Sequence, residues 1–441
     1  MVESSYFMCA EVKFKSNCIE LSYEGYGVAI YQGKRIFVPN FFPSEEAIIK
    51  ITKIYSNYGY GVVESWIKQS LYRNKNHIST NSASLINLQY SEQLKWKEHY
   101  LNKLLTRNLN IDQKIIQPII ASHDVLHYRN KARYSLLIEN QKVFYGEYLN
   151  KSKTLVKVSD FSLNKIKLND ILSFVLEKLN LIYQNKPDKV KFIKEITFRI
   201  NGNNQVQILF SLHSDYDLPN KLINLLNENP FIVQLCVEKK NISKQIFKKE
   251  DFTISLFNKK FNLDTDNFFQ VNLNVFEKIL INIEKYLIKN HQNKTLIDAY
   301  CGVGVFSQIF NLYFNQLIGI EINQKSIKYA QSNAKLNQVN NVFYFDGKVE
   351  NIINQKLIST KNSTLIIDPP RAGLDIKVIN WIVKKNISEV IYLSCDPRTL
   401  TRDLKEFIVN GYEINQIIPF DMFPNTHHIE TLVFLKNISL K

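Results

Sequence analysis

From residue 18 the chain alternates. CIELSYEGYGVAIYQGKRIFVPNFF sets apolar and polar residues in turn between glycine-containing bends, and AIIKITKIYSNYGYGVVESWI continues the period of two. That period predicts half-buried strands. Many short strands with few helices predict a small β-barrel over residues 1–70. Residues 71–89 are polar and weakly patterned, as in a linker or an irregular lobe. From Tyr90 the period lengthens. YSEQLKWKEHYLNKLLTRNL predicts a helix with Leu94, Tyr100, Leu101, Leu104 and Leu105 near helical spacing. HYRNKARYSLLIE, KVFYGEYL, KEITFRINGNNQVQILFSLH and PFIVQLCVEKK then read as strands mixed with helical stretches, a central α+β domain over 71–265.

The last third, 266–441, changes character. The helical stretch NVFEKILINIEKYLIKN precedes strand TLIDAY. Strand QLIGIEI, helix QKSIKYAQSNAKLN, strands TLIIDPP and EVIYLSC, helix TLTRDLKEFIVN and a final strand TLVFL follow. Strands alternating with helices predict an α/β Rossmann-like domain, a doubly wound parallel sheet with helices on both faces. Such sheets bind ligands at the carboxyl ends of their strands, and the motifs below fall at those ends.

The chain has 441 residues, enough for two or three domains, and its 45% hydrophobic content supplies real cores. Its net charge of +15 suits a polyanionic partner, although a lysine-rich genome would decorate any protein this way. Five cysteines, Cys9, Cys18, Cys236, Cys301 and Cys395, are scattered and never form a CxxC pair. This argues against a disulfide scaffold or a metal site and points to a reducing cytoplasm. No basic-then-apolar leader and no membrane-length apolar run is present, so no membrane association is expected. No obligate protein partner is implied.

Five constellations carry chemistry. Asp298-Ala-Tyr300-Cys301-Gly302-Val-Gly304-Val305-Phe306 lies between a strand and a helix, where glycines let the backbone turn sharply beside a ligand. It lacks the third glycine of a dinucleotide fingerprint. Glu321 ends the next strand, where an acidic side chain can accept both ribose hydroxyls of a nucleoside; S-adenosylmethionine fits this pair best. Asp368-Pro369-Pro370-Arg371 is a turn stiffened by two prolines, able to present Asp368 to a flat heterocycle. Ser394-Cys395-Asp396-Pro397 puts a thiol, a nucleophile for an electron-poor carbon, at another strand end. In Asp421-Met-Phe-Pro424-Asn-Thr426-His427-His428-Ile-Glu430 a carboxylate before the last strand is a candidate general base. The adjacent histidines point different ways on a strand and lack a third metal ligand.

Together FFQVN (268–272), DAYCGVGVF (298–306), IGIEI (318–322), DPPRAGL (368–374), LSCDPRTLTRDL (393–404) and DMFPNTHHIE (421–430) resemble the RNA uracil-5-methyltransferases over nearly the whole chain. The resemblance implies that Cys395 is the nucleophile and Glu430 the proton acceptor. It implies that Gln270, Tyr300, Val305, Glu321 and Asp368 line the S-adenosylmethionine and uracil sites. The N-terminal barrel looks like the TRAM domain of ribosomal RNA members, which favours 23S rRNA as substrate over tRNA. Arg129, Lys131 and Arg133, with the barrel and its Lys34, Arg35, Lys50 and Lys53, are expected to hold RNA by its phosphates. Many members bind a [4Fe–4S] cluster through four cysteines; the corresponding positions here hold Asn74, Thr80, Ala83 and Phe161, so no cluster is expected. The family's acidic residue after the glycine of the adenine-contacting strand is Lys348 here, after Gly347, with Asp346 just before. An RNA cytosine-5-methyltransferase would carry a cysteine in the proline motif, and this chain does not. A catalytically silent RNA-binding protein on the same scaffold is the reading from another class, and the intact Cys395 and Glu430 speak against it.

Overall fold

A computed structural model describes residues 12–74, 82–149, 152–213, 216–240, 242–290, 294–355 and 362–438. Cys9 and Thr80 lie outside these residues. The chain forms two compact units, one of residues 1–100 with 423–427, the other of 101–422 with 428–441.

In the first unit six strands form one curled sheet, ordered Lys13–Asn17, Glu46–Ile54, Tyr58–Lys68, Lys34–Val38, Gly27–Tyr31, Glu20–Leu21. The alternation read from the sequence puts Ala29, Ile36, Val38, Ala47 and Ile49 inside. Gly27 is required where the sheet crosses the chain at Phe41: a Cβ there would lie 2.2 Å from the Phe41 carbonyl oxygen. Arg73 and Glu45, both buried, make a two-pronged ion pair, with Nε–Oε1 at 2.7 Å and Nη2–Oε2 at 2.7 Å. The helix Tyr90–Leu109 follows the predicted span. Its buried stripe differs at the start: Gln93 and Lys97 are wholly buried and Leu94 is only half-buried. The Gln93 amide exchanges hydrogen bonds with Asn425, donating to Oδ1 at 2.9 Å and accepting from its N–H at 2.9 Å. Lys97 donates to the Phe423 carbonyl at 3.2 Å. These polar side chains are satisfied by the returning segment 423–427, which sequence periodicity cannot anticipate.

The second unit holds two seven-stranded sheets. The first runs Ile242–Lys248, Ile232–Lys239, Val206–Leu212, Ile193–Ile200, Lys131–Glu139, Lys142–Tyr148, Leu155–Lys157. Only Val206–Leu212 and Ile232–Lys239 pair in parallel. Helix Ile166–Asn185 buries Leu168, Ile171, Leu172, Val175 and Leu179 against one face of this sheet. The other face is polar, and Arg199 is buried there, donating to the carbonyls of Asp264 and Asn267.

The second sheet runs Val342–Asp346, Gln316–Glu321, Thr295–Ala299, Ser363–Ile367, Glu389–Ser394, Glu430–Asn437, Tyr412–Phe420. Its first five strands are parallel, as the alternation with helices predicted. The last two are not: Glu430–Asn437 inserts antiparallel beside Glu389–Ser394, and Tyr412–Phe420 closes the edge antiparallel to it. Thr295–Ala299, Ser363–Ile367 and Glu389–Ser394 are buried along their lengths, the mark of parallel strands covered on both faces. Strand order reverses between Thr295–Ala299 and Ser363–Ile367, so the crevice for a ligand opens where these strands end. No helix is long and apolar enough to cross a membrane among the described residues.

Candidate active site

The turn after Thr295–Ala299 is built by three alternate left-handed positions, Tyr300 (φ 63°), Gly302 (φ 54°) and Gly304 (φ 84°). Gly304 has no room for a side chain, since a Cβ would lie 2.3 Å from the Tyr344 hydroxyl. Gly302 faces open space, with nothing within 4 Å of an added Cβ. Asp298, wholly buried, fixes the turn by accepting the Ser307 N–H at 2.9 Å, and its other oxygen has no protein partner. Burial, with help from the Glu321 charge, pushes its carboxyl up to about 7.

Glu321 ends the neighbouring strand. One carboxylate oxygen accepts the Gly302 N–H at 3.1 Å and the other the Asn323 N–H at 2.8 Å. Two backbone donors therefore fix a half-buried carboxylate beside the open space at Gly302. A nucleoside ribose fits such a place: carboxylate lone pairs remain for its hydroxyls, and no side chain fills the approach. Val305 is buried at the start of the short helix Val305–Ile309. Asp346 and Lys348 are both exposed beside Gly347, whose N–H bonds the Glu321 carbonyl at 2.9 Å.

Across the switch point, Asp368 follows Ser363–Ile367 and accepts a hydrogen bond from the Gln270 amide at 3.4 Å. Gln270 lies in the segment 268–272, pinned by Asn130, whose amide donates to the Gln270 carbonyl and whose backbone N–H donates to that of Val271, both at 3.0 Å. Sequence reading passed over Asn130, because its task is tertiary. The Asp368 carboxyl is pushed up to about 7, first by burial and then by Asp298.

Cys395 and Glu430 come together through strand register. The ladder between Glu389–Ser394 and Glu430–Asn437 ends at the pair Ser394↔Thr431. One residue further on each chain stand Cys395 and Glu430. The thiol is half-buried; burial and the nearby Glu430 and Asp368 carboxyls push it up to about 12, against the pull of Arg371. Glu430 is 2% exposed, with one oxygen buried and unpartnered. Burial first, then Asp368, drives its carboxyl well above the ordinary range, and Arg371 opposes them. Arg371, passed over as a role in the proline motif, is thus the cation that acts on both groups; its guanidinium also meets His428 Nε2 at 3.1 Å.

The residues expected to grip RNA are less uniform. Arg133 pairs with Glu195 at 2.5 Å. Lys131 is pushed down to about 8 by burial and by Arg199 and Arg133. Arg35 pairs with Glu20 at 3.5 Å, and Lys34 donates to the Tyr55 carbonyl at 3.3 Å. Among the described residues no group of three or more His, Cys, Asp or Glu side chains could hold a metal ion.

The sequence profile of the tRNA (Uracil-5-)-methyltransferases matches residues 89–438. An uncharacterized RNA methyltransferase of Fusobacterium nucleatum is 29% identical, covering 93% of each chain. One of Enterococcus faecalis is 27% identical, covering 95% of each. Among solved structures, the Pyrococcus abyssi tRNA (uracil-54, C5)-methyltransferase in complex with S-adenosyl-L-homocysteine superposes with a TM-score of 0.75 at 21% identity. The superposition covers 96% of this chain and 99% of that one, and so shares the fold end to end.

Proposed function

The chain belongs to the tRNA (Uracil-5-)-methyltransferase family, and from that premise we propose that it methylates carbon 5 of a uridine in 23S rRNA with Cys395 as nucleophile and Glu430 as base. Membership makes it an enzyme that uses S-adenosylmethionine to methylate uracil in RNA, as the resemblance implied. The observation that carries the residue assignment is the register that sets Cys395 opposite Glu430 beyond the last pair, Ser394↔Thr431.

S-adenosylmethionine, when bound, supplies an electrophilic methyl group. Glu321, Tyr300, Val305 and Gln270 are the residues we assign to holding it at the strand ends, with Asp368 between it and the uracil. The Cys395 sulfur adds to carbon 6 of the uracil as its thiolate, and the ring electrons pass to carbon 5, which becomes nucleophilic. After carbon 5 has taken the methyl group it carries one proton too many. Glu430 removes that proton, the carbon–carbon double bond re-forms, and the sulfur is expelled. A buried base with one oxygen unpartnered is suited to this: desolvation makes its carboxylate a stronger acceptor than one in water. The target uridine must leave its stack to reach the thiol.

The N-terminal curled sheet, read as a TRAM-like barrel over 1–70, supports the ribosomal substrate; 71–265 and 266–441 complete the proposed division into central and catalytic domains, in a cytoplasmic enzyme. A second reading, tRNA, has its own support: the P. abyssi enzyme, by its description a tRNA methyltransferase, covers 96% of this chain, N-terminal sheet included.

Cys395→Ala is expected to abolish methylation and the covalent trapping of 5-fluorouridine RNA. Glu430→Gln is expected to methylate once and then hold its RNA, so that a protein–RNA band builds up on a denaturing gel. Turnover near wild type in the first variant, or no band in the second, refutes the respective role.

A further inference from the structure

Behind Cys395 begins the helix Pro397–Val409, capped by Asp396, whose side chain accepts the Arg398 N–H at 2.9 Å. One turn of this helix grips the loop that follows Asp368. Asp403, 1% exposed, accepts the Leu374 N–H at 2.8 Å and the Tyr392 hydroxyl at 2.7 Å through one oxygen, and Arg402 Nε at 2.8 Å through the other. Arg402 then donates to the carbonyls of Ala372 at 3.0 Å and Leu374 at 3.1 Å. Thr399 donates to the Arg371 carbonyl at 3.2 Å. Gly373, at φ 74°, lets the loop lie flat on this turn: a Cβ there would be 2.6 Å from both Arg402 Nη2 and Asp403 Oδ2.

The loop held in this way carries Arg371, the cation that acts on Cys395 and Glu430 in a cluster otherwise made of acids and a thiol. A buried carboxylate that ties one loop, one flanking arginine and the Tyr392 hydroxyl together is an expensive device for mere folding, because an apolar side chain would fill the same space without desolvating a charge. Together with Arg402 and Thr399 it bonds the backbone of Arg371, Ala372 and Leu374, the loop that must stay registered with Cys395. We propose that Asp403, with Arg402 and Thr399, is a positioning residue that fixes Arg371 against Cys395 by clamping residues 371–374 onto the helix behind the nucleophile. The proposal rests on Cys395 being the nucleophile.

The charged groups that face the thiol are Glu430, Asp368 and Arg371. The first two disfavour the thiolate and Arg371 favours it, so a loosened loop removes the favourable charge. The test is single-turnover adduct formation with 5-fluorouridine RNA, followed from pH 6 to 10, for wild type, Asp403→Asn, Thr399→Val and Cys395→Ala, with S-adenosylmethionine affinity measured in parallel. Asp403→Asn is expected to slow adduct formation about tenfold at neutral pH and to move the rising limb of the pH profile to higher pH. Its cofactor affinity should stay within about twofold of wild type, because Glu321 and the Gly302 turn are untouched. Thr399→Val, which keeps its shape and sits partly exposed, should shift the profile the same way by less. A profile that does not move in either variant overturns the clamp. If Cys395→Ala still forms adduct, the nucleophile assignment fails instead, which is a different result. Should Asp403→Asn fail to fold, Thr399→Val alone decides.

Discussion

Asp298 shows how one residue links fold to site. Its carboxyl is wholly enclosed, satisfied on one oxygen by Ser307 N–H and on the other by nothing in the protein. The folded state therefore holds its proton more tightly than the unfolded chain does, up to about 7 against an ordinary 3.8. The stabilising contribution is complete below the unfolded value and is lost as pH rises through the folded one. Asp298→Asn keeps an acceptor for Ser307 and cannot ionise. Its stability relative to wild type should rise between pH 5 and pH 8, by on the order of 2 kcal/mol. Urea unfolding of the ligand-free proteins at the two pH values measures this, and a constant difference would mean that Asp298 stays charged throughout. At this scale the sequence was informative about where the candidate groups lie, since Cys395, Glu430, Glu321 and Asp368 stand in compact strings at strand ends. It said nothing of Asn130 or Asp403, which bond the backbone of Gln270 and Leu374, brought near only by folding.

The same limit appears among elements, with a recognisable cause. Strands buried on both faces announced themselves as continuous apolar runs. Val342–Asp346, an edge strand with Phe343 exposed, and Tyr412–Phe420, whose register shifts between Ile414 and Gln416, carried no such signal. The antiparallel return of Glu430–Asn437 was also invisible, because an apolar run does not record its direction, yet that return is what sets Glu430 beside Cys395. The helix after Cys395 begins two residues earlier than its apolar pattern suggests, since Asp396 caps it and Pro397 suits its first turn. The glycine turn could be read in advance as a turn, though not which glycine borders open space. The structure separates them, and the separation is testable. Gly304→Ala meets the Tyr344 hydroxyl and a left-handed backbone together, and should cost roughly 2–4 kcal/mol in urea unfolding. Gly302→Ala meets only the backbone strain, about 1 kcal/mol, but puts a methyl group into the open space beside Glu321. It should therefore weaken S-adenosylmethionine binding in calorimetry by more than its stability loss implies. Equal effects of the two variants on binding and on stability would deny Gly302 a place in the cofactor cradle.

For the whole molecule the open matter is which RNA it serves, and there charge and fold pull in the same direction without choosing. A net charge of +15 gives any RNA a long-range attraction that salt weakens, so measured affinity should fall steeply between 50 and 200 mM salt for 23S rRNA and tRNA alike. Affinity at one salt concentration therefore cannot name the substrate. Turnover can, because in the proposed mechanism the target uridine leaves its stack and presents carbon 6 to Cys395, and only an RNA held in the right register offsets that unstacking. The decisive comparison is nucleoside mass mapping of 23S rRNA and tRNA from cells with and without the gene, with the purified enzyme and S-adenosylmethionine added back to each RNA from the deficient cells. If the curled N-terminal sheet directs the enzyme as proposed, 5-methyluridine disappears from one or two 23S positions and returns there on incubation, while tRNA is unchanged. Loss confined to tRNA would leave the Cys395–Glu430 chemistry standing and assign the same sheet to tRNA, in line with the P. abyssi fold that spans it. No loss in either, with no methyl transfer by the purified protein, would remove the catalytic reading and leave a scaffold that binds RNA without modifying it.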